Sequence, residues 1–167
     1  EVESSQLTLK KWFALYPDGV VMQLDETSRE KYDSLGRFER GKSKGKLTRT
    51  DSLSWQDKSW VVGIQLNDES KAYDWNKLKE ERIINDQVGG KSIVLALSED
   101  GQSFVAFERP AGTGNFTLKS DTLLINDKVY DFSGLDLSTL SVRLKPVKAY
   151  QEFWHSWKSF HAGTGRF

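Results

Sequence analysis

Leu9, Trp12, Phe13 and Tyr16 recur at i, i+3, i+4 and i+7, a spacing that predicts a helix with an aromatic stripe along one side. Thr8 is placed to cap it, and Pro17-Asp18-Gly19 stops it. Val20-Val21-Met22 then reads as a strand. From Asp25 to Gly36 the pattern is polar, with one short helical possibility over residues 28–32, and the Gly- and Lys-rich stretch from Arg37 to Arg49 reads as a loop.

The middle of the chain changes period. Trp60 to Leu66 ends at Asn67-Asp68, and Lys71-Ala72-Tyr73 follows at hairpin distance. Asp74 is a cap for a short helix over residues 75–79. Arg82-Ile83-Ile84 leads through the turn residues Asn85 to Gly90 into Ser92 to Leu97, and Glu99-Asp100-Gly101 leads on to Ser103 to Phe107. Strand, turn, strand, turn, strand predicts an antiparallel meander. A Gly-rich loop from Ala111 to Asn115 separates it from a further hairpin, Leu123-Leu124-Ile125 and Val129-Tyr130. A closing helix is expected from about Gln151 to His161, docking on the sheet through Phe153, Trp157 and Phe160, with Trp154 and His161 flanking that face and His155 on the far side. The predicted fold class is α+β, a mainly antiparallel sheet of meander and hairpins flanked by aromatic-rich helices at both ends.

Composition narrows the function classes. The 167 residues fit one domain. Lys plus Arg and Asp plus Glu number 24 each, so no net charge draws nucleic acid or an anionic membrane over distance, and no nucleic acid is expected as a partner. The longest apolar run, Ile93 to Leu97, is far short of the roughly 20 residues of a membrane span. Zero cysteines exclude disulfides, thiolate nucleophiles and Cys-based metal sites.

The two predicted terminal helices end alike. Trp12 to Gly19 can be laid on Trp157 to Thr164, with Trp12 over Trp157 and Leu15 over Phe160. That match suggests one full unit, residues 20–167, preceded by the tail of an earlier unit in residues 1–19.

Four stretches then carry a resemblance: Trp60 to Ile64 leading to Lys71-Ala72-Tyr73; Arg82 to Gly90; Phe104 to Arg109; and Tyr150 to His161. In order and spacing they resemble the bacterial domain-of-unknown-function family 3179, whose members carry two related halves joined in this way. The resemblance implies that another half or domain of a longer protein is this chain's partner. Many members of that family carry Tyr-Cys-Pro-Leu-Cys after the strand that follows the Asn-Asp-x-x-Gly-Gly turn, a natural metal or redox pair. Here Ala96-Leu97-Ser98-Glu99-Asp100 stands in that place, so such chemistry is not implied for this chain.

The candidate binding residues are Asn85, Asp86, Gly89 and Gly90, which also suit a tight structural turn whose Asp86 carboxylate accepts backbone N–H groups. Trp55 and Trp75 lie in polar surroundings and are the candidates for exposed rings that stack a sugar or peptide. His155 and His161 point roughly 120° apart on one helix and cannot share an ion. No metal and no cofactor are expected, and the basic stretch Arg37, Arg40, Lys42, Lys44, Lys46 and Arg49 is read as a solvated loop. No triad and no phosphate-binding loop is present, so no catalytic residue is assigned. The expectation is a non-catalytic, extracytoplasmic binding or accessory module. The alternatives are a hydrolase or lyase using carboxylates such as Asp86, Glu99, Asp100 and Glu108, and a carbohydrate-binding module with a Trp platform.

Overall fold

The computed structural model describes residues 5–23, 25–31 and 53–167. The expected loop from Arg37 to Arg49 lies outside these residues. A short helix α1 (Leu9–Leu15) opens the described chain, and a 3-10 helix follows at Glu26–Lys31. Next come β1 (Trp60–Leu66), β2 (Glu69–Asp74), α2 (Trp75–Glu81), β3 (Ile83–Val88), β4 (Lys91–Leu97) and β5 (Phe104–Glu108). Three short strands, β6 (Thr117–Lys119), β7 (Thr122–Ile125) and β8 (Lys128–Tyr130), precede β9 (Ala149–Phe153), α3 (Trp154–Phe160) and β10 (Gly165–Arg166).

The strands form three sheets, β10-β2-β1-β9, β3-β4-β5 and β6-β7-β8, antiparallel except where β10 joins β2 in parallel. They stack in layers. Val62, Ile64 and Tyr73 of the first sheet, with Leu78 of α2, pack against Ile93, Leu95 and Leu97 on one face of the second. Val94 and Ala96 point from the opposite face of β4 toward Leu123, Ile125, Tyr130 and Phe132 around the third. A strand buried on both sides has no solvent face to keep polar, which is why Ile93 to Leu97 is apolar without a break. The outer face of the first sheet is covered by α3, through Trp154 and Trp157 against Val61 and Ala72.

Local chemistry sets the element ends. Thr8 caps α1 by accepting the Lys11 N–H at 3.2 Å, and Asp74 caps α2 by accepting the Lys77 N–H at 3.0 Å. The β1–β2 hairpin turns at Asn67 in the left-handed region, φ 51°.

Several expectations are corrected. Val20-Val21-Met22 is not a strand, and its side chains stand 88, 47 and 94 % exposed. Residues 149–153 are extended as β9 and hydrogen-bonded along β1, so the last helix begins at Trp154. That shift rotates its buried face to Trp154 and Trp157 and leaves Phe160 82 % exposed. The aromatic stripe of α1 faces the body of the protein only in part: Trp12 is half-buried, with its ring over Gly19. Leu9, Phe13 and Tyr16 are exposed, and the arm meets the core through Leu7 and Leu15.

Candidate functional site

The N-terminal arm, residues 5–19, is fixed at two polar points. The Asp100 carboxylate accepts from the Ser103 hydroxyl at 2.6 Å, the Ser103 N–H at 2.7 Å and the Thr8 hydroxyl at 2.9 Å, while Thr8 N–H donates to Ser103 Oγ at 2.8 Å. Burial pushes the Asp100 carboxyl up, but these bonds and that from Gln102 N–H outweigh it and bring it down to about 2. Three residues along the helix, Lys11 pairs with Asp121, which also accepts from Ser98 and Glu99 and faces Arg82 at 3.6 Å. Burial again opposes ionisation of Asp121, and the Lys11 ammonium, the Glu99 N–H and the Ser98 hydroxyl hold it below the usual carboxylate range.

Between this arm and the sheets lies a cavity of about 830 Å3. The arm contributes Leu7, Trp12, Leu15, Tyr16 and the turn Pro17–Gly19; β5 contributes Phe104–Phe107; Phe132 and the segment around Leu144 to Ala149 close the other side. Its walls are mostly apolar and aromatic, and its charged lining residues are Asp18 and Arg143. Arg143 is anchored by one guanidinium nitrogen, which donates to Ser133 Oγ at 2.7 Å and to Ser133 O at 3.2 Å. Among the described residues no carboxylate pairs with it. A concave apolar space of this volume with one fixed cation falls within the range of small-molecule sites.

The residues singled out from sequence lie elsewhere. Asn85 and Asp86 belong to β3, and only Gly89 and Gly90 form the turn. The Asn85 side chain pairs with the backbone of Phe116, donating to its carbonyl at 2.9 Å and accepting its N–H at 2.8 Å. The expectation that Asp86 accepts turn amides is corrected: because its side chain leaves β3 toward β2, it meets Lys71 Nζ at 2.7 Å and the Tyr73 hydroxyl at 3.0 Å. Burial, then the charge of Asp86, push the Tyr73 phenol far above its ordinary range, so it stays a donor. Gly89, at φ +55°, abuts the β1–β2 turn; a Cβ there would fall 2.9 Å from the Leu66 carbonyl carbon.

Trp55 is half-buried, edge-on to Trp154 at 5.2 Å, with the Arg166 guanidinium over both rings. Trp75 packs edge-on to Phe104 at 5.9 Å against the main core. The two rings therefore do not meet in one platform. His161 stacks on Trp157 at 3.7 Å and lies 3.2 Å from the Tyr150 hydroxyl, whereas His155 is exposed. The four nominated carboxylates do not converge either. Asp86 pairs with Lys71, Glu99 faces Arg82 at 4.0 Å, Glu108 pairs with Lys145 at 2.6 Å, and Asp100 holds the arm. Among the described residues no three His, Asp or Glu side chains are grouped to hold a metal ion, and no helix is long and apolar enough to cross a membrane.

The model of a family described as "Protein of unknown function (DUF3179)" matches residues 1–164, which include the arm and every strand but β10. The chain belongs to this family. No curated protein and no solved structure matches it. In this DUF3179 chain the cavity is the feature that sequence reasoning missed. Its lining is drawn from four separated segments, and none of its residues is among the binding candidates that the sequence suggests.

Proposed function

We propose that this chain is a non-catalytic binding or accessory module whose ligand seat is the cavity beneath the arm. The observation that carries the reading is the composition of that cavity. Aromatic and aliphatic walls surround one anchored cation, Asp18 is the single carboxylate of the lining, and Asp86, Glu99, Asp100 and Glu108 lie outside it. Such a site holds an amphipathic organic molecule by burying its apolar part, with Arg143 facing an anionic group. The extracytoplasmic setting expected from the family resemblance is part of the same proposal, and fractionation of the producing cell tests it separately.

The probe is 8-anilinonaphthalene-1-sulfonate, whose flat rings and sulfonate match the walls and the cation. Saturable one-to-one binding to the native protein is expected. Leu15→Trp, which fills the cavity from the arm side, should weaken it at least about tenfold while leaving the circular dichroism spectrum intact. Asp86→Asn should leave binding unchanged. Absence of saturable binding, or equal affinity in Leu15→Trp, refutes the cavity as the seat.

A further inference from the structure

The open border of β5 is paired in pieces. Val105 and Phe107 turn their backbone groups toward β4, in phase with the bonds from Ser98 N–H to Ser103 O and from Arg109 N–H to Ser92 O, so Phe104, Ala106 and Glu108 turn theirs outward. Along that border Phe104 N–H donates to Gln6 O at 3.2 Å, Val147 N–H donates to Ala106 O at 2.8 Å, and Glu108 N–H donates to Lys145 O at 2.9 Å. Between them the Ala106 N–H has no partner among the described residues, although Ala106 is only 4 % exposed. A buried backbone donor without a partner is rare, and its desolvation is costly. On the other border, Trp154 N–H donates to Ser59 O and sets the phase of the β1–β9 ladder. That phase turns the N–H and C=O of half-buried Ala149 away from β1, where no described residue meets them. Ala106 and Ala149 both line the cavity.

Arg143 adds a third polar element. Its Nη1 is committed to Ser133, while the edge formed by Nε and Nη2 has no partner among the described residues. Arg143 is exposed and yet lines the cavity, so it stands where the cavity meets solvent. Two parallel N–H groups on one guanidinium edge match the two oxygens of a carboxylate. From Arg143 to Val147, the residue bonded to Ala106 O, the chain advances four positions, at most about 13 Å when extended, so one short ligand spans from the guanidinium to the Ala106 N–H.

We infer that the cavity, taken as the ligand seat proposed above, receives the carboxyl-terminal end of an apolar peptide. The peptide carboxylate pairs with the free edge of Arg143 and stays at the solvent side. One of its carbonyls accepts the Ala106 N–H, and its aliphatic or aromatic side chains fill the space lined by Leu7, Leu15 and Phe132. The backbone donor sets the class of ligand. A simple alkyl carboxylate satisfies Arg143 and the walls but leaves the Ala106 N–H dry and unpaired, which costs affinity. Asp18, the single carboxylate of the lining, disfavours acidic side chains on the peptide.

The probes are N-acetyl-Leu-Ala-Leu with a free carboxyl group, the same tripeptide as its carboxamide, and octanoate. Each is titrated calorimetrically into the unaltered protein and competed against 8-anilinonaphthalene-1-sulfonate. The free acid should bind one-to-one and displace the dye, with the carboxamide and octanoate each at least about tenfold weaker. With the acid bound, the Ala106 amide should exchange with solvent at least about tenfold more slowly. Leu15→Trp should weaken the acid by at least about tenfold, and Arg143→Gln should bring acid and carboxamide to within about threefold of each other. Octanoate binding as tightly as the tripeptide, equal binding of acid and carboxamide to the unaltered protein, or an Ala106 amide that does not respond overturns the inference. Dye that binds and is displaced by none of the three removes the peptide and leaves the cavity as a seat; if the dye does not bind either, the seat itself is refuted.

Discussion

Replacing Gly63 by alanine tests the packing of the outer helix through the sign of one stability change. A Cβ at Gly63 would lie 2.6 Å from Trp157 Cη2 and closer still to Cζ3 and Cε3, where carbon atoms settle at roughly 3.5–4.0 Å. The indole has little room to retreat. It is fully buried, its Nε1–H donates to Thr164 Oγ1 at 2.8 Å, His161 is stacked on it, and Val61, Ala72 and Trp154 surround it. Overpacking of this kind costs about 1–3 kcal/mol. Against it, Gly→Ala in ordinary strand backbone contributes about 0.4–1 kcal/mol by restricting the unfolded chain. The net is expected to be destabilising by about 1–2 kcal/mol, or about 2–8 °C in Tm for a chain of this size. Urea melts followed by tryptophan fluorescence and far-ultraviolet circular dichroism measure it. Gly114→Ala, where a Cβ would meet nothing within 4 Å, is the control and should be neutral or slightly stabilising. In Gly63→Ala/Trp157→Leu the two losses should fall short of additive, because the smaller side chain removes the clash. Stability of Gly63→Ala equal to or above that of the parent refutes the account.

Two further outcomes follow from buried or bonded carboxylates. Asp86→Ala leaves the buried Tyr73 hydroxyl without its acceptor and Lys71 without its ion-pair partner, and should cost about 1–3 kcal/mol in urea melts, whereas Asp86→Asn, which keeps an acceptor oxygen, should cost less. Asp100, lowered from an ordinary 3.8 to about 2 in the folded protein, contributes stability that is complete above about pH 4 and lost as pH falls through about 2. Thermal melts between those limits should therefore steepen in the parent and flatten in Asp100→Asn; parallel acid profiles would show that Asp100 does not hold the arm.

The hairpins and the meander were legible because their signals are local. Asn67 and Asp68 between two apolar runs, and Gly89 and Gly90 between two more, admit few backbone paths. The ends were harder. Ala149 to Phe153 carries residues acceptable to helix and strand alike, and only the pairing with β1, some ninety positions away in sequence, decides for strand. Val20 to Met22 has strand composition, yet no partner edge lies beside it in the described structure. The stripe of Leu9, Trp12, Phe13 and Tyr16 correctly announced a helix, but periodicity does not say which body the apolar face belongs to. Asn85-Asp86 is a pair that favours turns, while the actual strand register aims Asp86 at Lys71 and Tyr73. The cavity has no sequence signature, since Leu7, Phe107, Phe132 and Arg143 meet only through tertiary packing.

Gln6 touches two sheets at once. Its backbone carbonyl accepts the Phe104 N–H at 3.2 Å at the start of β5, and its side-chain oxygen accepts the Gln151 N–H at 3.0 Å on β9. Unsatisfied amides on a strand border invite pairing with another molecule. One residue therefore screens an amide on each of two such borders, and its consequence is colloidal: a version of the chain starting at Leu7 would present both amides to its neighbours and is expected to associate more readily through intermolecular β-pairing on concentration, even where its own layers stay folded.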